Sequence, residues 1–363
     1  MPSLFDPVAI GGLHLKNRIW MAPLTRGRAT MDAVPTPIMA EYYAQRADAG
    51  MIISEATGIS REGLGWPYAP GLWSDAQVEG WKPVTAAVHE AGGRIVAQLW
   101  HMGRLVHPDL GGGQPVSSSA TTAPHKAHTY EGKKPYVEAR SASRDDIDRI
   151  VGDYAKAARN AIAAGFDGIQ VHGANGYLVD QFLRASANLR EDEYGGNIEN
   201  RLRFMTQVLE AIGNAIGIER TGIRFSPNIL SQGVDDPDPL TLYTAVAKRL
   251  EELKVPWIEL REPGPDSTFG GGATEPVSPA MREHYSGVIA VNSDYDGASG
   301  QARLDEGVAD AIAFGRTFLA NPDLVARISA HAELNAPDMA TFYTQGAEGY
   351  TDYPTLDDLA EVA

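Results

Sequence analysis

Residues 168–185 read GIQVHGANGYLVDQFLRA. Residues 168–171 have the composition of a short buried strand. The stretch then presents His172, Asn175 and Tyr177, an imidazole, a carboxamide and a phenol within six residues. Leu178, Phe182 and Leu183 follow at helical spacing. A strand end carrying these three groups suits the holding and protonation of a small carbonyl compound.

Working outward, the same strand-then-helix alternation recurs. Strand-like segments lie at 18–24, 51–56, 94–100, 221–227, 257–262, 287–291 and 311–315. Helical patterns lie at 36–49, 75–91, 143–164, 199–216, 240–253, 279–285, 300–307 and 322–330. Thr36 is placed to cap the first of these, with Pro37 at its first position and Gly50 beyond its end. Short apolar strands alternating with helices predict a single (β/α)8 TIM barrel across residues 1–363, because parallel strands are covered on both faces. A doubly wound open sheet is the alternative. Residues 9–15, turning at Gly11-Gly12, read as an N-terminal β-hairpin cap on the barrel bottom. Residues 101–143, after strand three, read as a long irregular loop of the kind that serves as a lid or insertion.

Composition narrows the function. The formal net charge of −16 argues against nucleic acid, whose binding rests on Lys and Arg neutralising phosphates. There are no cysteines, which removes disulfides, thiolate catalysis and cysteine-bound iron–sulfur clusters. No apolar run reaches the roughly 18 residues of a membrane helix, and the N-terminus lacks a signal-peptide pattern. The expectation is a cytoplasmic protein, a monomer or small homo-oligomer, with small-molecule partners and no bound metal.

In such barrels the chemistry sits at the C-terminal ends of the strands. The residues there are Pro23, Leu24 and Thr25 after strand one, and Glu55, Ala56 and Thr57 after strand two. Gln98, Trp100 and His101 belong to strand three, and His172, Asn175 and Tyr177 to strand four. Arg224 lies in strand five, Asn292 and Ser293 follow strand seven, and Gly315 and Arg316 end strand eight.

The segments MAPLTRGRA, IISEAT, AQLWHMGR, VHGANGYLVDQFL, EYGGNIENR, IRFSP, FGRTFLANPDL and EGYTDYP run in order from residue 21 to residue 354. In them the chain resembles the old yellow enzymes, FMN-dependent ene-reductases. The likeness is strongest to the bacterial 2-cyclohexenone reductase and N-ethylmaleimide reductase types. It implies one non-covalent FMN, NADH or NADPH as reductant, and electrophilic alkenes as substrates.

The resemblance assigns roles that residue chemistry supports. Gly315 and Arg316 would hold the FMN phosphate with backbone N–H groups and a cation; a turn with a surface cation is the plainer reading. Relatives mostly carry Gly-Gly after strand seven, and here Asn292-Ser293 must fit beside the phosphate. Arg224, a charge within the apolar strand IRFSP, would face the anionic edge of the reduced flavin. A structural ion pair with a carboxylate would equally account for it. Gln98 suits the flavin pyrimidine edge. Pro23, Leu24 and Ala56 would contribute contacts, and Thr25 would donate to the flavin O4 or else cap a loop.

His172 and Asn175 would donate to the carbonyl oxygen of an enone as negative charge develops there. A lone strand-end histidine is more often a satisfied core residue, and the spacing to Asn175 and Tyr177 raises the functional reading. Tyr177, protonated at neutral pH, would supply the proton to the α carbon; packing is its alternative. Trp66, Trp100, Phe269, Tyr343 and Tyr350 are candidate pocket walls, and relatives often place a tyrosine where Trp66 stands. Three other readings remain. An iron–sulfur relative on the same barrel would need cysteines. A flavin-free lyase or isomerase acting on a phosphorylated substrate would show a strand-end Lys or paired carboxylates. A non-catalytic flavin-binding protein would not oxidise NADPH.

Overall fold

The computed structural model describes residues 2–262 and 275–362. Eight short parallel strands close into a barrel: β1 (Ile19–Met21), β2 (Met51–Ile53), β3 (Ile95–Trp100), β4 (Gly168–His172), β5 (Thr221–Phe225), β6 (Trp257–Arg261), β7 (Val288–Asn292) and β8 (Ala311–Phe314). Each pairs with the next, and β8 pairs with β1, so no edge is left open. The expected barrel is therefore the fold.

Side-chain alternation separates an inner from an outer set. Inside, toward the bottom, Trp20, Met51, Ile53, Val96, Trp257, Ala290, Ala311 and Ala313 form one apolar cluster. Trp20 and Trp257 meet edge to face with centroids 5.6 Å apart. Gly222 makes room for them, since a Cβ there would lie 2.1 Å from the Trp257 ring. The hairpin Val8–Ile10/Leu13–Leu15 adds Ile10 and Leu15 to this cluster, so it plugs the barrel bottom as the sequence indicates.

Outside, Ile52, Ile95, Ala97, Ile169, Val171, Ile223 and Ile258 pack beneath a helical ring. The ring comprises α1 (Pro37–Ala44), α2 (Asp75–Glu90), α3 (Arg144–Ala163), α4 (Leu178–Leu183), α5 (Ile198–Ile216), α6 (Pro239–Leu253), α7 (Ser278–Arg282), α8 (Gly297–Asp305), α9 (Arg316–Ala320) and α10 (Leu324–Ala330). Ser74 and Ser143 open α2 and α3 in capping boxes. Each large apolar side chain buried between ring and strands contributes roughly 1.5–3 kcal/mol.

The helices depart from expectation in places. Thr36 does not cap α1; its hydroxyl donates to Arg28 O. The first helix ends at Ala44, not residue 49, and Arg46 beyond it is buried, donating to Phe318 O and Leu319 O. Turns in place of helix bring that guanidinium to the barrel rim. α8 begins at Gly297, capped by Asp296, rather than at residue 300. After β8, the short α9 precedes α10, so Arg316 opens a helical turn of its own.

Residues 101–143 are more ordered than their composition suggests. Val116–Ser117 pairs with Arg140–Ser141, and Lys126–Thr129 forms a hairpin with Gly132–Pro135. Among the described residues, no helix is long and apolar enough to cross a membrane, and no cluster of His, Cys, Asp and Glu could hold a metal ion.

Candidate active site

His172 ends β4 and is buried. Its Nδ1 accepts from the Ala174 N–H at 3.4 Å, so a neutral ring carries its proton on Nε2. Burial pushes the imidazole well below its ordinary pKa, and the positive charges of Arg224 and Arg261 push it further. The ring is thus a neutral donor at neutral pH.

The chain then turns sharply. Asn175 and Gly176 take φ of 58° and 78°, the left-handed region that asparagine and glycine tolerate best. A Cβ on Gly176 would lie 2.8 Å from Ser231 O. Three bonds hold the turn. Asn175 N donates to Ser226 Oγ at 2.7 Å, Gly176 N to Asp180 Oδ2 at 2.9 Å, and Gln181 Nε2 to Gly176 O at 2.7 Å. Buried Gln181 also donates to Met102 O and accepts from Arg104 N and Ser117 Oγ. One side chain of α4 therefore ties the turn to the segment after β3.

The turn delivers Tyr177 against both neighbours. Its ring lies 4.7 Å from the His172 ring and 4.9 Å from Trp100, edge to face in each case. Burial raises the phenol's pKa, and Tyr136 and Tyr343 add to the effect, so the hydroxyl stays protonated. Trp100 is buried and its indole N–H has no hydrogen-bond partner among the described residues.

Further aromatic residues gather beside this cluster from distant segments. Trp66 stacks on His128 at 4.3 Å and tilts against Tyr343 at 5.0 Å. Trp66, Tyr136 and Tyr177 pack on the cluster around Trp100, Met102 and Leu105. Arg26 donates to Phe342 O and Gly349 O, and Arg28 to Thr341 O and Phe342 O. These two arginines pin the segment that bears Tyr343. Tyr350 is not a pocket wall: it is fully buried, stacked on Tyr42 at 4.0 Å with Arg28 over its ring at 4.5 Å. Phe269 lies outside the described residues.

Above the apolar plug, polar side chains link six strands. Gln98 Nε2 donates to Gln170 Oε1 at 2.7 Å, and Gln170 Nε2 to Glu259 Oε2 at 2.8 Å. Glu259 Oε1 lies 3.0 Å from Arg224 Nε. Arg224 Nη2 donates to Asn292 Oδ1 at 2.7 Å, and Asn292 Nδ2 to Ala313 O at 2.6 Å. The carboxylate partner considered for Arg224 is therefore present, and it is Glu259. The Asn292 carboxamide is thus turned into this inner chain.

Arg261 ends β6 and donates to Asn175 Oδ1 at 2.9 Å. Burial lowers its pKa to about 10, with Arg224 and Arg316 contributing, so it stays charged at neutral pH. Arg316 Nη2 donates to Asp294 Oδ1 at 2.6 Å. Three guanidiniums thus gather at the mouth of a barrel whose chain carries a net charge of −16. A donor set of that kind fits a phosphate and an anionic flavin edge. Among the described residues Gly315 has open surroundings: a Cβ there would meet only Leu24 Cδ2, at 3.7 Å. Pro23, Ala56 and Gln98 are buried beside the mouth, while Leu24, Thr25, Ser293, Gly315 and Arg316 are partly exposed there. These residues fit FMN.

Gln170, Glu259, Arg261, His128 and Tyr136 escaped the sequence reading. Glu259 and Arg261 in WIELRE are, like Arg224, charges inside a buried strand. Gln170 shares a strand face with His172, two residues on. Nothing local marks His128 or Tyr136, which reach the site through a hairpin folded back over the barrel.

Comparison with known proteins gives the family. The family model described as NADH:flavin oxidoreductase / NADH oxidase matches residues 3–335. A Leishmania infantum protein named "Probable flavin mononucleotide-dependent alkene reductase" is 42% identical, over 97% of this chain and 97% of its own. The 12-oxophytodienoate reductase 1 of Oryza sativa subsp. japonica is 40% identical, over 99% of this chain and 94% of its own. Among solved structures, the old yellow enzyme homologue from Zymomonas mobilis superposes with a TM-score of 0.96 at 57% identity, covering 98% of this chain and all of its own. Morphinone reductase in complex with tetrahydroNAD gives 0.93 at 44% identity, covering 99% of each chain. The chain belongs to the NADH:flavin oxidoreductase / NADH oxidase family, as an FMN-dependent alkene reductase of the old yellow enzyme kind.

Proposed function

We propose that the protein reduces the C=C bond of small alkenes conjugated to a carbonyl, nitro or imide group, with His172, Asn175 and Tyr177 as its substrate-handling residues. FMN, when bound, supplies the hydride, which it takes from NADH or NADPH. His172 Nε2–H and the Asn175 carboxamide donate to the substrate's electron-withdrawing oxygen. There they stabilise the charge that builds as the β carbon is reduced. The Tyr177 hydroxyl gives its proton to the α carbon. A raised phenol pKa does not hinder this step, because a carbanion is a far stronger base than a phenolate. Trp100 fixes the orientation of both rings, and Trp66 with Tyr343 closes the outer side against water.

Toward the cofactor, Arg316 and Gly315 would hold the phosphate, Arg224 the anionic flavin edge, and Gln98, Pro23, Leu24, Thr25, Ala56, Asn292 and Ser293 the rest of the group. The observation that carries the reading is the turn at Asn175-Gly176, which puts a neutral imidazole donor and a protonated phenol side by side. The test is steady-state NADPH and NADH oxidation with 2-cyclohexenone, a nitroalkene and a maleimide. Turnover with at least one is expected, and no turnover by the FMN-loaded protein with any of them defeats the reading.

A further inference from the structure

Arginine has hydrogen-bond donors and no acceptor. The Asn175 atom facing Arg261 Nη1 at 2.9 Å is therefore the carboxamide oxygen. This contact fixes which way the amide is turned, since an asparagine side chain could otherwise present either atom. The backbone at Asn175 is already set by the bond to Ser226 Oγ and the left-handed φ. With its oxygen held, the Asn175 N–H2 group makes no hydrogen bond to another described residue and serves as the free donor.

The same guanidinium acts electrostatically on His172 and Tyr177. Among the described residues, the charged groups around it are Arg224 on β5, Asp294 after β7 and Arg316 on α9. Because the His172 ring is neutral, the imidazole brings a dipole and no net charge to the substrate oxygen.

We propose that Arg261 is a positioning residue for the oxyanion site: it locks Asn175 with the amide N–H2 toward the substrate, and through that contact lends cationic character to the hydrogen bond the oxygen receives. A donor whose own carbonyl is bound by a cation is more polarised, and chained hydrogen bonds strengthen one another. The inference rests on the oxyanion roles of His172 and Asn175.

The test uses the FMN-loaded protein and 4-fluorophenol, whose oxygen stands in for the enolate oxygen. Fluorine NMR across a pH series reads the ionisation of the bound phenol directly, without turnover. The wild type is expected to bind the phenol with its pKa below the free value. Arg261→Met is expected to raise that bound pKa by about one unit, which is about a tenfold loss of phenolate affinity. Arg261→Lys, which keeps the charge and has no acceptor, is expected to recover most of the shift. In the Asn175→Ala background, Arg261→Met should add little, because the contact through which it acts is gone. Should Arg261→Met fold poorly, Arg261→Gln removes the charge on a similar stem and carries the same expectation. An unchanged bound pKa in these Arg261 variants, with a shifted one in Asn175→Ala, overturns the inference and leaves the oxyanion pair standing. An unchanged value in Asn175→Ala and in His172→Ala overturns the oxyanion pair itself, and the inference with it.

Discussion

The Tyr177 ring stands edge-on to the His172 imidazole, with centroids 4.7 Å apart and planes at 78°. Edge-to-face packing holds the two rings together without requiring their polar tips to bond each other. Removing the Tyr177 hydroxyl should therefore leave the packing intact and remove only the proton. For Tyr177→Phe we expect alkene reduction to slow by roughly 10²–10⁴-fold, with flavin reduction by NADPH changed far less. Rapid-mixing measurement of the two half-reactions checks this, and equal slowing of both takes the acid role away from Tyr177.

The depressed imidazole of His172 has a consequence for stability. Below its ordinary pKa of about 6.5, the unfolded chain binds a proton that the folded site refuses. Stability then falls as pH drops through that value and recovers as pH rises. The drop in unfolding free energy between pH 7.5 and pH 5.5 should be larger for the wild type than for His172→Asn. Parallel curves for the two proteins would place the acid sensitivity elsewhere.

Glu259 is buried at the centre of the inner polar chain, accepting from Gln170 and paired with Arg224. Replacing it with alanine leaves the Arg224 charge without its carboxylate. A loss of about 3–5 kcal/mol is expected from denaturant unfolding of the FMN-free protein. Arg224→Met/Glu259→Met should lose much less than the two single variants summed. An additive result would mean the pair is not energetically coupled.

Arg28 makes several hydrogen bonds to main-chain oxygens of the segment that carries Tyr343. Hydrogen bonds to a charged group contribute about 1.5–3 kcal/mol each. Arg28→Met should release this segment, making it the first site of limited proteolysis, and raise KM for alkenes more than it lowers kcat. Cleavage unchanged in position and rate would show that the stacking on Tyr42 suffices.

The barrel was legible from the chain alone, because buried parallel strands must be apolar, and a lone charge or a cluster of polar groups on one stands out. Arg224 and His172 were visible in this way. Glu259 and Arg261 carried the same signal, yet three of the six residues of WIELRE are charged, so no single charge stands out against an apolar strand. Tyr350 was misjudged for the opposite reason: an aromatic on a loop reads as surface, and its burial depends on Tyr42 and Arg28, both over 300 residues away in sequence. Pairings at such distance leave no local pattern. Helix ends such as that of α1 were displaced by a tertiary demand, the burial of Arg46.

On the proposed reading the outer wall joins Trp66 to two appendages, the hairpin carrying His128 and the pinned segment carrying Tyr343, while the substrate-handling groups stand on β4 and the turn after it. Selectivity and chemistry would then be encoded in separable stretches of the gene. A chimaera that exchanges only residues 126–135 and 341–349 with a relative should inherit the donor's taste in alkenes and the recipient's reaction.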